Sequence, residues 1–152
     1  MTRLLGASLV AGILLSGCAG TLLPTRQNPS CSWDSTVPSN ASAICSAVYS
    51  TLNTVAHAEE TGNRATMNRL IVNVAVRRRI MAHGRALRAQ HVQNLHVVPS
   101  FTLAQIHAKT FGAGFYLNGD IRGGRVNAPL TVELRVEGKR AVIVNDQPGQ
   151  EW

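Results

Sequence analysis

Residues 131–145 read TVELRVEGKRAVIVN, and this stretch decides the fold. Its first half continues an alternation that starts one residue earlier, with apolar residues at every second position: Leu130, Val132, Leu134 and Val136. This period of two is typical of a strand with one buried face. Gly138-Lys139 predicts a turn, and residues 141–144 return as a second apolar strand. The stretch therefore predicts a β-hairpin that lies against a core.

The same period extends upstream to about Asn94. Two alternating runs precede the hairpin: Leu95, Val97, Phe101 and Leu103, and then Ala104, Ile106 and Ala108 against Gln105, His107 and Lys109. Asn118-Gly119 predicts a tight turn between strands, and Gly123-Gly124 predicts a second break. Glycines at 112 and 114 are interpreted as hairpin turns or bulges, because no strand-to-helix context of a phosphate loop surrounds them.

The chain before Asn94 has a helical period. Ile44, Val48, Leu52 and Val55 share one face of a helix that begins at Ser39 or Asn40 and ends near Glu60. A second helical region over 64–90 changes its apolar face midway, which predicts a break near Asn73.

Helices followed by an antiparallel meander predict an α+β fold, with N-terminal helices packed on a curved antiparallel sheet in one domain over 40–146. This order resembles the NTF2-like superfamily, and residues 131–145 are similar to the closing hairpin of its cone-shaped domains. The resemblance implies a cone around an apolar pocket. We expect this candidate pocket to be lined by four residues: Phe101, Ile106, Phe115 and Leu134.

The first residues carry an export pattern. Arg3 precedes an uncharged apolar run over 4–15, which is too short to span a bilayer and has the length of a signal core. The following LSGC at 15–18 resembles the lipobox of bacterial lipoproteins. The resemblance implies that a signal peptide over 1–17 is removed and that Cys18 carries acyl chains. An ordinary secretory signal with an accidental cysteine is the alternative.

The resemblance also implies a location. Ala19 is not the aspartate that retains such lipoproteins at the inner membrane, so in a Gram-negative cell we expect the outer membrane, facing the periplasm. Residues 18–39, interrupted by prolines, predict a lipidated tether, although Trp33 should pack on the domain. Residues 147–152 predict a polar tail.

Cys31 and Cys45 would be exported together to an oxidising compartment, which favours a disulfide between them. The alternatives are two free buried thiols and a metal site, although the spacing matches no zinc motif.

The net charge is +7, and seven arginines and Lys109 occur between Glu60 and Asp120 with no acidic residue among them. Such a field favours anionic partners or simply keeps the domain soluble. Nucleic acid is not an expected partner, because no aromatic residues interleave with the basic ones.

No catalytic constellation is visible, and neither a cofactor nor a metal is expected. All five histidines are predicted at the surface: His57, His83, His91, His96 and His107. Glu59-Glu60 are interpreted as solvated charges, and Asp120 with His107 is the single acid-base pair worth testing.

Three functions remain open at this point. The first is a non-enzymatic domain that binds a small hydrophobic ligand or an envelope protein. The second is a structural component of an envelope assembly, such as a secretion or conjugation apparatus. The third is a small NTF2-like pocket enzyme.

Overall fold

The structure is a computed structural model and describes residues 28–34 and 36–147. The predicted signal peptide (1–17), Cys18, the first part of the predicted tether and most of the polar tail lie outside the described residues. The elements follow one another in this order: β1 (Ser30–Trp33), α1 (Ala41–Thr61), α2 (Arg64–Leu70), α3 (Val74–Ala89), β2 (Gln93–Val97), β3 (Ser100–His107), β4 (Thr110–Ile121), β5 (Gly124–Glu137) and β6 (Arg140–Asp146).

The predicted α+β class is confirmed. Three helices pack on one six-stranded sheet, in which the strand order is β1-β3-β4-β5-β6 and β2 pairs with β4 beyond the start of β3. All strand pairs are antiparallel except β1 with β3, which are parallel. The sheet ends at β1 and β6 and does not close. Among the described residues, no helix combines the length and the apolar character that crossing a membrane requires.

The domain begins earlier than the predicted boundary at residue 40. Ser30–Trp33 form β1 instead of tether, and the Ser30 N–H donates to the Pro99 carbonyl at 2.8 Å. The Trp33 ring meets Phe111 edge-on, with ring centroids 6.1 Å apart, so Trp33 packs on the domain as predicted. The strand is short and lies between prolines, so the sequence shows no clear alternation there. The tether can therefore extend only up to the start of β1.

The predicted disulfide is present. Cys31 of β1 and Cys45 of α1 are bonded, with their Cα atoms 6.0 Å apart, so neither free thiols nor a metal site applies to this pair. The bond joins the edge strand to the first helix.

The predicted break in the second helical region is also confirmed. The Asn73 side chain accepts hydrogen bonds from the Ala75 and Val76 amides at 2.9 and 3.3 Å, which caps the start of α3. Between α2 and α3, Ile71 leaves the helix and forms a bridge with Ile143 of β6. The change of apolar face in the sequence therefore marks two separate helices.

The tight turn predicted at Asn118-Gly119 is wrong. Strand β4 runs through both residues, and the chain turns at 122 and 123, where Gly123 has a φ of 87°. A Cβ on Gly119 would lie 2.6 Å from Val92 Cγ1. The glycine is therefore needed where the chain that enters β2 approaches the sheet closely. The glycines at 112 and 114 likewise lie inside β4 and not in turns.

Candidate functional site

The four residues of the predicted pocket do not share one cavity. Phe101, Phe115 and Leu134 are 4%, 5% and 0% exposed and belong to the core between helices and sheet. Ile106 is 42% exposed and covers Gly112 on the outer face of the sheet. Because side chains alternate along a strand, Phe101 and Ile106, five positions apart in number, must face opposite ways. Including Ile106 in the pocket was therefore wrong.

The core itself is filled. The cavity that Phe115 and Leu130 line with α1 has a volume of about 10 Å³, which is at most the space of one water molecule. The enclosed apolar pocket that the NTF2-like resemblance implied is thus occupied by the protein's own side chains at this place.

A much larger space lies at one end of the sheet. The β3–β4 and β5–β6 hairpins meet the start of α1 there and enclose a cleft of about 650 Å³, here called the hairpin cleft. This volume is in the range of small-molecule sites. Six of its lining residues decide its chemistry: Asn40, Ile44, Lys109, Phe111, Arg135 and Glu137.

Backbone pairing fixes the wall of the hairpin cleft. The Val136 N–H donates to the Lys109 carbonyl at 2.8 Å, which ties the two hairpins together. Arg135 lies opposite Thr110 in the β4–β5 ladder, and Gly138, with a φ of 65°, turns the chain beside it. Arg135 therefore projects from a paired strand, and Lys109 projects from the β3–β4 turn that is bonded to it.

The charges of this wall are partly compensated. Arg135 donates to Glu137 from Nε at 3.0 Å and from a terminal nitrogen at 2.9 Å, and Arg140 donates to the other carboxylate oxygen at 3.3 Å. The hydrogen bonds from Arg135, together with the charges of both arginines, hold the pKa of the Glu137 carboxyl below its usual range. The Lys109 ammonium has no partner among residues 28–34 and 36–147. The wall therefore carries an excess of positive charge.

The start of α1 adds to this field. Its cap residue, Asn40, makes no side-chain hydrogen bond to the helix, and the first turn contains no acidic residue. Free amide groups at a helix start attract negative charge. Beneath them, Ile44 and Phe111 supply an apolar floor that is 4% and 2% exposed. The hairpin cleft can thus hold the anionic head of an otherwise apolar molecule.

The predicted acid-base pair is not formed. His107 pairs with Thr110 at one end of β4, whereas Asp120 lies near the other end of that strand, where it accepts a hydrogen bond from Asn94 at 3.0 Å. At about 3.3 Å per residue, the two are roughly 30 Å apart. The described residues also contain no group of three His, Cys, Asp or Glu side chains able to hold a metal ion.

A buried hydrogen-bonded pair, Glu59 with His83, was not predicted. Glu59 is 1% exposed, and its Oε2 lies 2.9 Å from Nδ1 of His83, whose side chain is 11% exposed. Burial raises the pKa of the Glu59 carboxyl, while the hydrogen bond from His83 and the charge of Arg88 oppose the rise. The interpretation of Glu59 as solvated and of His83 as a surface histidine was wrong.

Two signals in the sequence point to this pair. Glu59 follows Leu52, Val55 and Ala56 at helical spacing and therefore lies on the buried face of α1. In addition, Gly84 lets α3 approach, because a Cβ there would lie 3.1 Å from the Glu59 carbonyl oxygen. Arg88 donates to that same carbonyl. The pair fastens α1 to α3 and lies away from the hairpin cleft.

No family model and no curated protein sequence matches this chain. The function is therefore argued from the hairpin cleft, from the charges around it and from the N-terminal motif.

Proposed function

We propose that this chain is a lipid-anchored protein of the bacterial cell envelope whose domain binds an anionic amphiphile without catalysing a reaction. The hairpin cleft carries the proposal, because it combines a volume of about 650 Å³ with an apolar floor and a lysine that has no partner among the described residues. A ligand with a carboxylate or phosphate head and a short apolar body matches this combination.

The cleft favours one orientation of such a ligand. Lys109 offers a mobile point charge at the rim, whereas Arg135 is oriented by its two hydrogen bonds to Glu137. The head of the ligand would meet these two cations, and its body would lie over Phe111 and Ile44. The Glu137 carboxylate disfavours a second negative charge beside Arg135.

The anchor is argued from the sequence. The lipobox-like LSGC at 15–18 places the acylated cysteine twelve positions before the first strand, which begins at Ser30. Two or three acyl chains on one residue hold a protein at a membrane far more firmly than one chain does.

The anchor is tested by intact mass spectrometry of the membrane-extracted protein. We expect the mass of a chain that starts at Cys18 and carries acyl groups. A Cys18→Ala variant should retain its first residues and lack the acyl mass. An acylated Cys18→Ala protein, or a native protein without acyl groups, would overturn the anchor.

The ligand site is tested through the lysines, because Lys109 and Lys139 are the only two in the chain. The full-length protein in phosphatidylcholine vesicles is treated with an amine-acylating reagent, with and without octanoate, at high salt, so that charge on the vesicle surface is screened. Octanoate should slow acylation of Lys109 by about threefold or more and leave Lys139 within about twofold, since direct contact protects an amine far more than a distant charge does.

Matched variants sharpen this ligand test. Arg135→Gln should weaken the protection of Lys109, whereas Arg122→Gln, which removes the same charge from the distant β4–β5 turn, should not. Equal protection of both lysines, or none at all, would contradict binding in the hairpin cleft.

One observation favours the assembly alternative. Ile106 and Tyr116 are 42% and 49% exposed on the outer face of the sheet, where the structure places no helix. Exposed apolar groups on a sheet face are typical of protein contacts. A stable complex with an envelope protein that is lost in a Tyr116→Ser variant would favour this alternative.

A further inference from the structure

We infer that Arg69, Lys139 and Arg140 form a phosphate site that takes the headgroup of an anionic phospholipid in the membrane to which the protein is anchored. The inference rests on the proposed function for the anchor alone and does not depend on the hairpin cleft. It adds a second contact with the membrane and gives the domain a defined orientation there.

The site is a pocket of about 250 Å³ between three elements. Arg69 comes from the last turn of α2, Lys139 from the β5–β6 turn and Arg140 from the first position of β6. Ser50 and Thr54 come from the exposed side of α1. No acidic residue lines this pocket. Three cations around one concave surface are suited to binding the oxygen atoms of a phosphate group, such as that of a lipid headgroup.

The cations of this pocket are available for a ligand. Within the part of the chain that the structure describes, Arg69 and Lys139 make no hydrogen bond or ion pair. Arg140 is 66% exposed and contacts Glu137 at 3.3 Å, on the side of the turn that faces the hairpin cleft. Arginine guanidinium groups bind phosphate oxygens in pairs, and the lysine adds a point charge.

The pocket is held in place by buried contacts. The Thr51 hydroxyl donates to the Ala141 carbonyl at 2.9 Å and accepts from the Ala141 N–H at 3.2 Å, which fastens α1 to β6 directly beside Arg140. The Val72 N–H donates to the Ile143 carbonyl at 3.0 Å and fastens the end of α2 to the same strand. The backbone around the cations is therefore fixed before a ligand arrives.

The position of the N-terminal chain favours a lipid as the source of the phosphate. Asn28 and Pro29 line a groove on α1 together with Ser50 and Thr54, the two residues that also line the cation pocket. The chain thus enters the domain beside the pocket. From Cys18 to Asn28 the chain can span at most about 35 Å, so the anchor limits how far this side of the domain can move from the bilayer.

The side of α1 next to the pocket would not repel an anionic membrane surface. Over 41–58, α1 contains no aspartate, glutamate, lysine or arginine, so no negative charge would face an anionic surface there. Basic residues close to a membrane are attracted to anionic lipids, and the attraction falls off within a Debye length. The bilayer and the three cations therefore meet on one side of the molecule.

The test uses the lipidated full-length protein in vesicles of phosphatidylcholine and in vesicles that also contain phosphatidylglycerol. Acylation of the two lysines is followed by mass spectrometry. Phosphatidylglycerol should slow the reaction at Lys139 by about threefold or more at low salt, and high salt should restore the rate. Lys109, on the other side of the β5–β6 turn, should stay within about twofold, because the attraction is short-ranged.

Matched double variants identify the site. Arg69→Gln with Arg140→Gln should abolish the effect of phosphatidylglycerol on Lys139. Arg78→Gln with Arg122→Gln removes the same charge from exposed positions elsewhere and should preserve the effect.

Two other outcomes would contradict the inference, the first for the lipid as the ligand and the second for the phosphate site itself. Protection of Lys139 by inorganic phosphate on phosphatidylcholine vesicles, with no further effect of phosphatidylglycerol, would assign the site to a soluble phosphate compound. An unchanged rate at Lys139 under all conditions would exclude a phosphate site. Flotation with phosphatidylcholine vesicles tests the anchor separately, since these vesicles carry no net charge for the cations to bind.

Discussion

A His83→Leu variant is expected to lose about 3 kcal/mol of its free energy of unfolding at pH 7, because removing one partner of a buried pair leaves the other charge uncompensated. The partner is Glu59, which is 1% exposed between α1 and α3. Leucine fills part of the space of the imidazole but offers no hydrogen bond to the carboxylate. The loss is measured by urea denaturation monitored by circular dichroism.

The loss should depend on pH with a defined sign. Burial holds the pKa of Glu59 above its ordinary value of 4.5, so the contribution of this group to stability is complete below that value and is lost as the pH rises through the raised pKa. Without His83 the pKa rises further. The difference in stability between native protein and His83→Leu should therefore shrink as the pH falls toward about 4.5.

Two variants separate the charge from the shape of the pair. Adding Glu59→Gln to His83→Leu should recover part of the stability at pH 7, because the amide carries no charge. His57→Leu, at a histidine that is 72% exposed, should change the free energy of unfolding by less than about 0.5 kcal/mol. A loss in His83→Leu that is the same at every pH would contradict the role of the Glu59 charge.

A variant with both Cys31→Ala and Cys45→Ala is expected to lose about 3 kcal/mol, because the bond closes a loop of this length in the unfolded chain. The two residues are 14 positions apart. In the folded protein the bond holds β1, which pairs with β3 alone, against α1. The loss is measured by urea denaturation of the oxidised protein and the variant under the same conditions.

Local protection distinguishes the role of this bond from a general loss of stability. Amide hydrogen exchange in β1 should rise more than exchange in β5, which lies between two strands. Ser32→Ala removes a hydroxyl that is 3.1 Å from the Thr102 hydroxyl at the exposed surface and is the matched control in the same strand. Equal midpoints for the double cysteine variant and the oxidised protein would contradict the prediction.

Periodicity predicted the larger elements of this fold. The alternation over 131–145 corresponds to β5 and β6, and the change of apolar face near Asn73 corresponds to the gap between α2 and α3. Both patterns show which side of a helix or strand is buried, because the apolar residues of that side pack into the core. The disulfide was predictable because two cysteines remain beyond the predicted signal peptide, and export, if it occurs, favours their oxidation.

Other features depend on contacts between distant parts of the chain. Gly119 looked like a turn residue, but its missing side chain makes room for Val92. Ile106 was assigned to the core although its parity differs from that of Phe101, and the strand places it on the outer face. The hairpin cleft was not predicted, because Lys109 and Arg135 become neighbours only through the pairing of two hairpins. The NTF2-like resemblance stays a prediction.

The bond between β1 and α1 also has a mechanical consequence. If Cys18 holds the protein in a membrane, any tension on the tether enters the domain at Asn28 and reaches Cys31 after a single strand residue, Ser30. The covalent bond passes that load to Cys45, near the start of α1. The hydrogen bonds between β1 and β3 would therefore not break one after another under tension, because the force would act on β1 and α1 together.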